Sequence, residues 1–226
     1  MTSEIAVLDE VRALGPDVVL RPATPDDCRR IAELFRVSSD GVADYVWSRL
    51  QLDYPGLSLV EIGARRYARE KTAFSYQNCL VAEHCGAVIG MMHAFVIEPG
   101  DEPAPAGEVD PVLRPYAELE QPGSLYISAL AVVPPHRGQG LGRRFLAAAR
   151  ERARRLGCPA LSLICFDQNK DAKRLYEREG FMVIERRDVV SHPLIHAAGT
   201  ALLMTSPIQP GSPGGTASCN RQVEVR

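Results

Sequence analysis

No apolar run in this chain approaches the ~20 residues that a membrane-spanning helix needs, which argues against a helical membrane protein. The opening residues, MTSEIAVLDEVRALG, lack a basic start, and Glu4, Asp9 and Glu10 interrupt their apolar pattern. No signal peptide is therefore read, and a cytoplasmic location is expected. Cysteines are too few and too scattered for a disulfide scaffold: Cys28, Cys79, Cys85, Cys158, Cys165 and Cys219 form no C-x-x-C pair. None has a histidine at metal-ligand spacing, so no metal site is expected, and free thiols fit a reducing compartment. Cys165, closing an expected strand, reads as a buried thiol filling core space. Net charge is also nearly absent. At a formal −2, long-range attraction to nucleic acid is not expected. No internal repeat is visible.

What is present is an ordinary globular composition, 46% apolar and 24% charged, over 226 residues. The local charge is uneven. His136 to Gly157 holds seven arginines against Glu151, and Glu98 to Gly123 holds seven acids against Arg114. Residues 1–17 place Ile5, Leu8, Val11 and Leu14 at helical spacing behind Ser3, so a helical N-terminal extension is expected. A strand follows at DVVLRPA. TPDDCRRIAELFRVSS then starts a helix with Thr24 as N-cap and Pro25 at its first position. ADYVWSRLQL and LVEIGARRYAREK read as two more helices, and Cys79–Ile97 as a hairpin turning at HCG. Residues 98–123, with six prolines, read as a long functional loop in which PVLRPYAEL coils once. SLYISALAVV is apolar almost throughout, as a central strand covered on both faces would be.

From Gly140 to Leu156 the period becomes helical, with Leu141, Phe145, Ala149, Ala153 and Leu156 on one face. ALSLIC is a second buried strand. NKDAKRLYEREG is a helix capped by Asn169 and stopped by Gly180. FMVIERRDVV and GTALLMTS close the fold as strands. One domain, residues 18–206, is expected, with a disordered Pro/Gly/Ser-rich tail at 207–226. This order is an α/β arrangement around a mixed sheet, with hairpins in front and one parallel crossover.

In that order VVPPHRGQGLGRRF, Val132 to Phe145, lies where a strand gives way to a helix. The first helical N–H groups have no internal partner, and the helix dipole adds about half a positive charge there. Glycines at 138, 140 and 142 permit close approach of an anion, and Arg137, Arg143 and Arg144 add charge. A Walker loop would need G-K-[ST], which is missing. A dinucleotide fingerprint would need glycine where Arg143 stands, and it belongs to a leading βαβ unit.

The hexapeptide Arg137-Gly138-Gln139-Gly140-Leu141-Gly142 resembles the R/Q-x-x-G-x-G/A signature of the GNAT superfamily of acyl-CoA-dependent N-acetyltransferases, and LAVVP before it resembles that family's central strand. NKDAKRLYEREGF, Asn169 to Phe181, independently fits N-x-x-A-x-x-L-Y-x-x-x-G-F. The resemblance spans about Val18 to Ser206 and is strongest from Leu125 to Phe181. ARRYAREKTAFSYQN resembles a subgroup of bacterial members. The resemblance implies a mixed, mostly antiparallel sheet of about seven strands, flanked by helices, with a V-shaped splay between its two central parallel strands.

It further implies an acetyl-CoA site: the pyrophosphate on the backbone of Gly138, Gln139, Gly140, Leu141, Gly142 and Arg143 beside Arg137, the pantetheine arm along Leu130, Ala131 and Val132, and Asn169, Ala172 and Tyr176 from the following helix. Val132 N–H would polarise the thioester carbonyl, and Tyr176 would protonate the departing sulfur. The general base is where this sequence departs from the family. Many members carry a strand glutamate where Tyr126 and Ser128 stand here. A water relay through Ser128 or Tyr126, an acid such as Glu118 or Glu120, His93 on the neighbouring strand, or an acceptor needing no base are the alternatives. Tyr45, Trp47, Tyr54, Tyr67 and Tyr76 beside the acidic loop suggest a cationic amine as acceptor. The competing function is a non-catalytic acyl-CoA-binding module of the same fold. Exposed strand edges and the N-terminal segment suggest a homodimer; no nucleic-acid or membrane partner is expected.

Overall fold

The computed structural model describes residues 18–98 and 110–209. The expected N-terminal helix, much of the acidic loop (99–109) and the tail from 210 onward with Cys219 lie outside the described residues. The described chain forms a seven-stranded sheet in the order β1-β2-β3-β4-β5-β7-β6. Its strands are β1 (Val19–Pro22), β2 (Cys79–His84), β3 (Ala87–Val96), β4 (Leu125–Val132), β5 (Ala160–Phe166), β6 (Met182–Asp188) and β7 (Thr200–Pro207). Only β4 and β5 pair in parallel; every other neighbour is antiparallel. β7 runs to Pro207, and Ile208 N–H donates to Pro159 O at 2.8 Å, so order continues past Ser206.

The helices cover both faces, as the apolar central strands require. On one face lie α5 (Leu141–Leu156) and α6 (Lys170–Arg178), where Phe145, Leu146, Ala149 and Tyr176 pack with Leu125 and Ile127. On the other lie α1 (Cys28–Ser38), α2 (Val42–Ser48) and α3 (Leu59–Tyr67), where Ile31, Leu34, Trp47, Ile62 and Tyr67 pack with Ala129 and Ala131. The short α4 (Arg114–Ala117) is the single coil expected in the loop. Helix starts follow local chemistry. At α3, Ser58 N–H donates to Glu61 at 2.8 Å and Ser58 Oγ accepts Glu61 N–H, a capping box. α2 and α3 are shorter than their apolar patterns suggested. Leu156, expected on the buried face of α5, is instead 52% exposed. It is the last residue before Gly157 turns the chain toward β5 in the left-handed region, so it overhangs the sheet.

Two irregularities shape the middle of the sheet. β3 and β4 lose register between His93 and Ala94: His93 faces Ala129 while Ala94 faces Ile127, which leaves Ser128 as an extra residue on β4. This β-bulge resets the alternation, so Ile127 packs with α5 and Ala129 with α1–α3. The second is that β4 and β5 stay in register only over Leu125–Leu161, Tyr126–Ser162 and Ile127–Leu163. Beyond that point β3 still follows β4 to Val132, and β7 still follows β5 to Phe166. The two central strands therefore part company while each keeps its outer neighbour. The expected splay opens at Ser128.

Candidate active site

The open edge of β4 can be read from its hydrogen bonds. Val133 N–H donates to Ile89 O on β3 at 2.9 Å. Strand alternation then turns the backbone groups of Val132, and of Leu130 two residues earlier, to the opposite edge, where β5 has departed. Arg137 confirms the direction by donating from Nε to Val132 O at 2.8 Å. Ala131 faces inward and packs with α1–α3.

After β4 the chain makes a single 3-10 turn (Pro134–His136) and reaches the glycine run. Gly138 (φ 73°) and Gly140 (φ 84°) occupy the left-handed region that favours glycine, and a Cβ at either would project into open space. Gly140 is the N-cap of α5 and offers no side chain to its first N–H groups. These unpartnered donors at the head of a sixteen-residue helix form an anion cradle. The three arginines behave differently from expectation. Arg143 pairs with Glu179 at the end of α6 at 3.0 Å, Arg144 donates to Val18 O at 2.9 Å, and Arg137 holds Val132. The cradle is thus built from backbone, while these side chains brace the turn against its neighbours. Gln139 donates within the turn to Pro135 O at 3.1 Å.

Across the opening, Asn169 caps α6 by accepting Ala172 N–H at 3.1 Å, which fixes Ala172 and starts the helix that carries Tyr176. Tyr176 is 9% exposed, and its ring lies 5.7 Å from that of Phe181. Burial, with the Cys165 thiol nearby, pushes its hydroxyl well above the ordinary tyrosine range, so it stays protonated at neutral pH. Cys165 is a core thiol as expected, pushed up to about 11 by burial.

A cavity of about 210 Å³ lies at the C-terminal end of β5, lined by Asp40, Phe166, Gln168, Asn169, His196 and Ala197. Asp40 sits in the turn between α1 and α2 at φ 46°, an uncommon conformation for a residue with a side chain. Burial raises its carboxyl, and His196 opposes the rise. The loop between β6 and β7 closes over this turn: His196 N–H donates to Asp40 O at 2.8 Å, and a Cβ at Gly41 (φ 93°) would overlap the Leu194 carbonyl. Sequence reading missed Asp40 and His196. The Asp40-Gly41 pair between two helices is the one local signal that could have pointed here.

The remaining candidates disperse. Glu118 forms an ion pair with Arg187 at 2.7 Å. Glu120 and Glu98 line a larger, open cleft of about 540 Å³ with Lys71, Ala73 and Phe95, at the β3 end beside the start of β4. Burial first, then Glu120, pushes the Tyr126 hydroxyl up, so it is a poor base. Trp47 and Tyr67 are core, at 3% and 1% exposure. Tyr54 packs partly buried against the same core, and Tyr76 donates to Glu70 at 3.0 Å. Among these aromatics Tyr45 reaches the closing loop: its ring meets His192 at 4.5 Å, and its hydroxyl donates to Asp110 at 2.8 Å.

Two candidates come together. Ser128, at the start of the splay, lies 2.5 Å from His93 Nδ1, and His93 Nε2 lies 2.9 Å from Ala73 O. His93 is fully buried within rings of Phe35, Tyr67, Phe74 and Phe95. Burial pushes its imidazole from 6.5 down to about 4, and Arg152 pushes the same way, against the Ala73 carbonyl. Arg152 from α5 acts on its charge, while the Tyr67 ring from α3 and the Ser128 hydroxyl from β4 contact the imidazole.

The unfolded chain therefore binds a proton at His93 between pH 6.5 and 4 that the native chain refuses. Stability should fall with pH through that window, by about 2 kcal/mol at pH 5 from this group. Urea midpoints at pH 7 and pH 5 check this: the difference should shrink in His93→Asn, and an unchanged difference would refute it.

A model of the acetyltransferase (GNAT) family matches residues 44–181. The chain belongs to the GNAT family. Curated relatives include an uncharacterized N-acetyltransferase, YycN, of Bacillus subtilis, 38% identical over 76 residues, which are 33% of this chain and 47% of that protein. The aminoalkylphosphonate N-acetyltransferase of Salmonella typhimurium is 44% identical over 55 residues, 24% of this chain and 36% of that protein. The match thus spans less than half the length of these curated relatives. In fold, this GNAT chain is similar to an N-acetyltransferase from Staphylococcus aureus Mu50 (TM-score 0.60, 19% identity, 83% of this chain and 99% of that one). It is also similar to yncA of Salmonella typhimurium, solved with its cofactor acetyl-CoA (TM-score 0.53, 22% identity, 85% and 95%). No described helix of this GNAT chain is long and apolar enough to cross a membrane.

Proposed function

We propose that this GNAT chain transfers an acetyl group from acetyl-CoA to a primary amine of a small molecule or peptide, by direct attack in a ternary complex. The observation that carries the reading is the parting of β4 and β5 at Ser128 with both outer neighbours still paired. It leaves backbone donors and acceptors of a central strand without a strand partner, which a peptide-like arm can fill as an added strand. The fit of acetyl-CoA is supported by the cradle, where a Cβ at Gly138 or Gly140 would enter open space and the first helical N–H groups await an anion. Bound there, acetyl-CoA would supply an activated thioester and a thiolate leaving group.

The chain's own residues supply the rest. Gly138 to Arg143 would hold the pyrophosphate by backbone N–H groups, and Leu130, Ala131 and Val132 would hold the pantetheine arm. Val132 N–H, aimed at the open edge, would donate to the thioester carbonyl oxygen, a contact worth ~3 kcal/mol where comparable donors have been removed. Tyr176 keeps its proton at neutral pH and would give it to the sulfur. Asp40, in the cavity at the strand ends, is a carboxylate suited to attract a cationic amine.

A panel of primary amines, assayed for CoA thiol release and acetylated product by mass spectrometry, tests the reading. Amine-dependent release of thiol in equal amount to product is expected. Tight acetyl-CoA binding with no turnover on any amine would overturn it in favour of an acyl-CoA-binding module.

A further inference from the structure

Acetyl transfer to an amine forms an N–C bond and breaks a C–S bond. The amine must lose one proton, and the sulfur must gain one. Tyr176 accounts for the second proton; no carboxylate on β4 accounts for the first.

The hydrogen bonds around His93 fix its tautomer. Ala73 O can only accept, so Nε2 carries hydrogen. The neutral ring then has a lone pair at Nδ1, and Ser128 must be the donor in the 2.5 Å contact. With its hydrogen committed to His93, half-buried Ser128 keeps lone pairs on Oγ for a further donor at the start of the splay. The bulge makes this placement work. It adds Ser128 to β4 opposite His93 and just beyond Ile127, the last β4 residue paired with β5. Four aromatic rings hold the imidazole in place, so the pair is preorganised.

We propose that Ser128 and His93 are the proton acceptor for the incoming amine: Ser128 Oγ takes the amine proton as it passes its own to His93 Nδ1. This inference rests on the acetyltransferase reading above. Ser128 is the catalytic residue of the pair, and His93 acts through it. Because burial and Arg152 disfavour a charge on this ring, the imidazolium forms only in passing, with both N–H groups hydrogen-bonded, to Ser128 Oγ and Ala73 O, before the proton goes back through Ser128. The site resets when Ser128 returns the proton to water after product leaves, while Tyr176 regains its proton from water. The acceptor class is a primary amine that arrives uncharged at the splay, since an ammonium has no lone pair to attack with.

The experiment measures kcat and KM for acetyl-CoA and for an active amine in the full-length chain and four variants. Ser128→Ala and His93→Asn should each lower kcat by roughly 10²-fold with the KM for acetyl-CoA unchanged. The Ser128→Ala/His93→Asn double variant should be no slower than the slower single one, because each removes the same relay. Ser128→Thr, which keeps the hydroxyl, should recover most of the rate. His93→Asn retains an acceptor for the Ser128 hydroxyl but cannot take its proton, so near-normal kcat in this variant would overturn the relay. Additive losses in the double variant would do the same. Should His93→Asn fail to fold, Ser128→Ala against Ser128→Thr decides alone: equal rates in those two overturn the relay. A wild-type chain that turns over no amine overturns the acetyltransferase reading itself, whereas an active wild type with active variants overturns only the relay.

Discussion

Tyr176→Phe is expected to lower kcat by roughly 10²–10⁴-fold while leaving the KM for acetyl-CoA nearly unchanged. The substitution removes one oxygen and little else. The ring stays against Phe181, 5.7 Å away, and the side chain stays buried, so α6 and its cap at Asn169 should hold. What disappears is the proton held at that atom. Burial keeps the hydroxyl protonated across the neutral range, and without it the sulfur must leave as a thiolate or take its proton from water. The split between kcat and KM is the diagnostic, because the cradle on α5 is untouched. Steady-state rates with saturating amine measure it, and an unchanged kcat would remove Tyr176 from the mechanism. Set beside Ser128→Ala, the two variants separate the proton that leaves the amine from the one that reaches the sulfur.

The second large effect is on stability. Phe145→Ala should destabilise the chain by about 3–5 kcal/mol, a large part of the roughly 5–15 kcal/mol that holds a domain together. Phe145 is fully buried on the first turns of α5 and reaches the β3 backbone near Gly90, where a Cβ would meet its ring at 3.4 Å. It therefore docks the head of α5, and with it the anion cradle, onto the sheet. A cavity here should lower the urea midpoint and also raise the KM for acetyl-CoA at temperatures where the variant remains folded. A midpoint close to wild type would mean that the site collapses around the smaller side chain. A lower midpoint with an unchanged KM would separate the cradle from its support.

The sequence by itself determined the elements and the glycine cradle, because the signals that specify them are local. A helix start is written in a few residues: Thr24 and Pro25 for the turn that leads into α1, Gly140 for α5, Asn169 for α6. The near-continuous apolar runs of β4 and β5 placed them in the centre of a covered sheet. The two motifs, Arg137–Gly142 and Asn169–Phe181, carried the family by the same local logic.

What only the tertiary structure decided is which groups meet. Ser128 and His93 are 35 residues apart and share a hydrogen bond because a bulge adds one residue to β4, and register across strands is set by packing of both faces. Arg143, read as added charge beside the cradle, meets Glu179 from 36 residues away, a pairing that no local signal announced. Trp47 and Tyr67 read as pocket aromatics, and the packing of α1–α3 made them core. Asp40 carried no motif at all; its place in a cavity depends on the β6–β7 loop closing over Gly41, where a glycine makes room for the Leu194 carbonyl. Local propensity writes the pieces, but charge partners, burial and the meeting of distant side chains follow from how those pieces pack, and the proton chemistry of this site rests on the second.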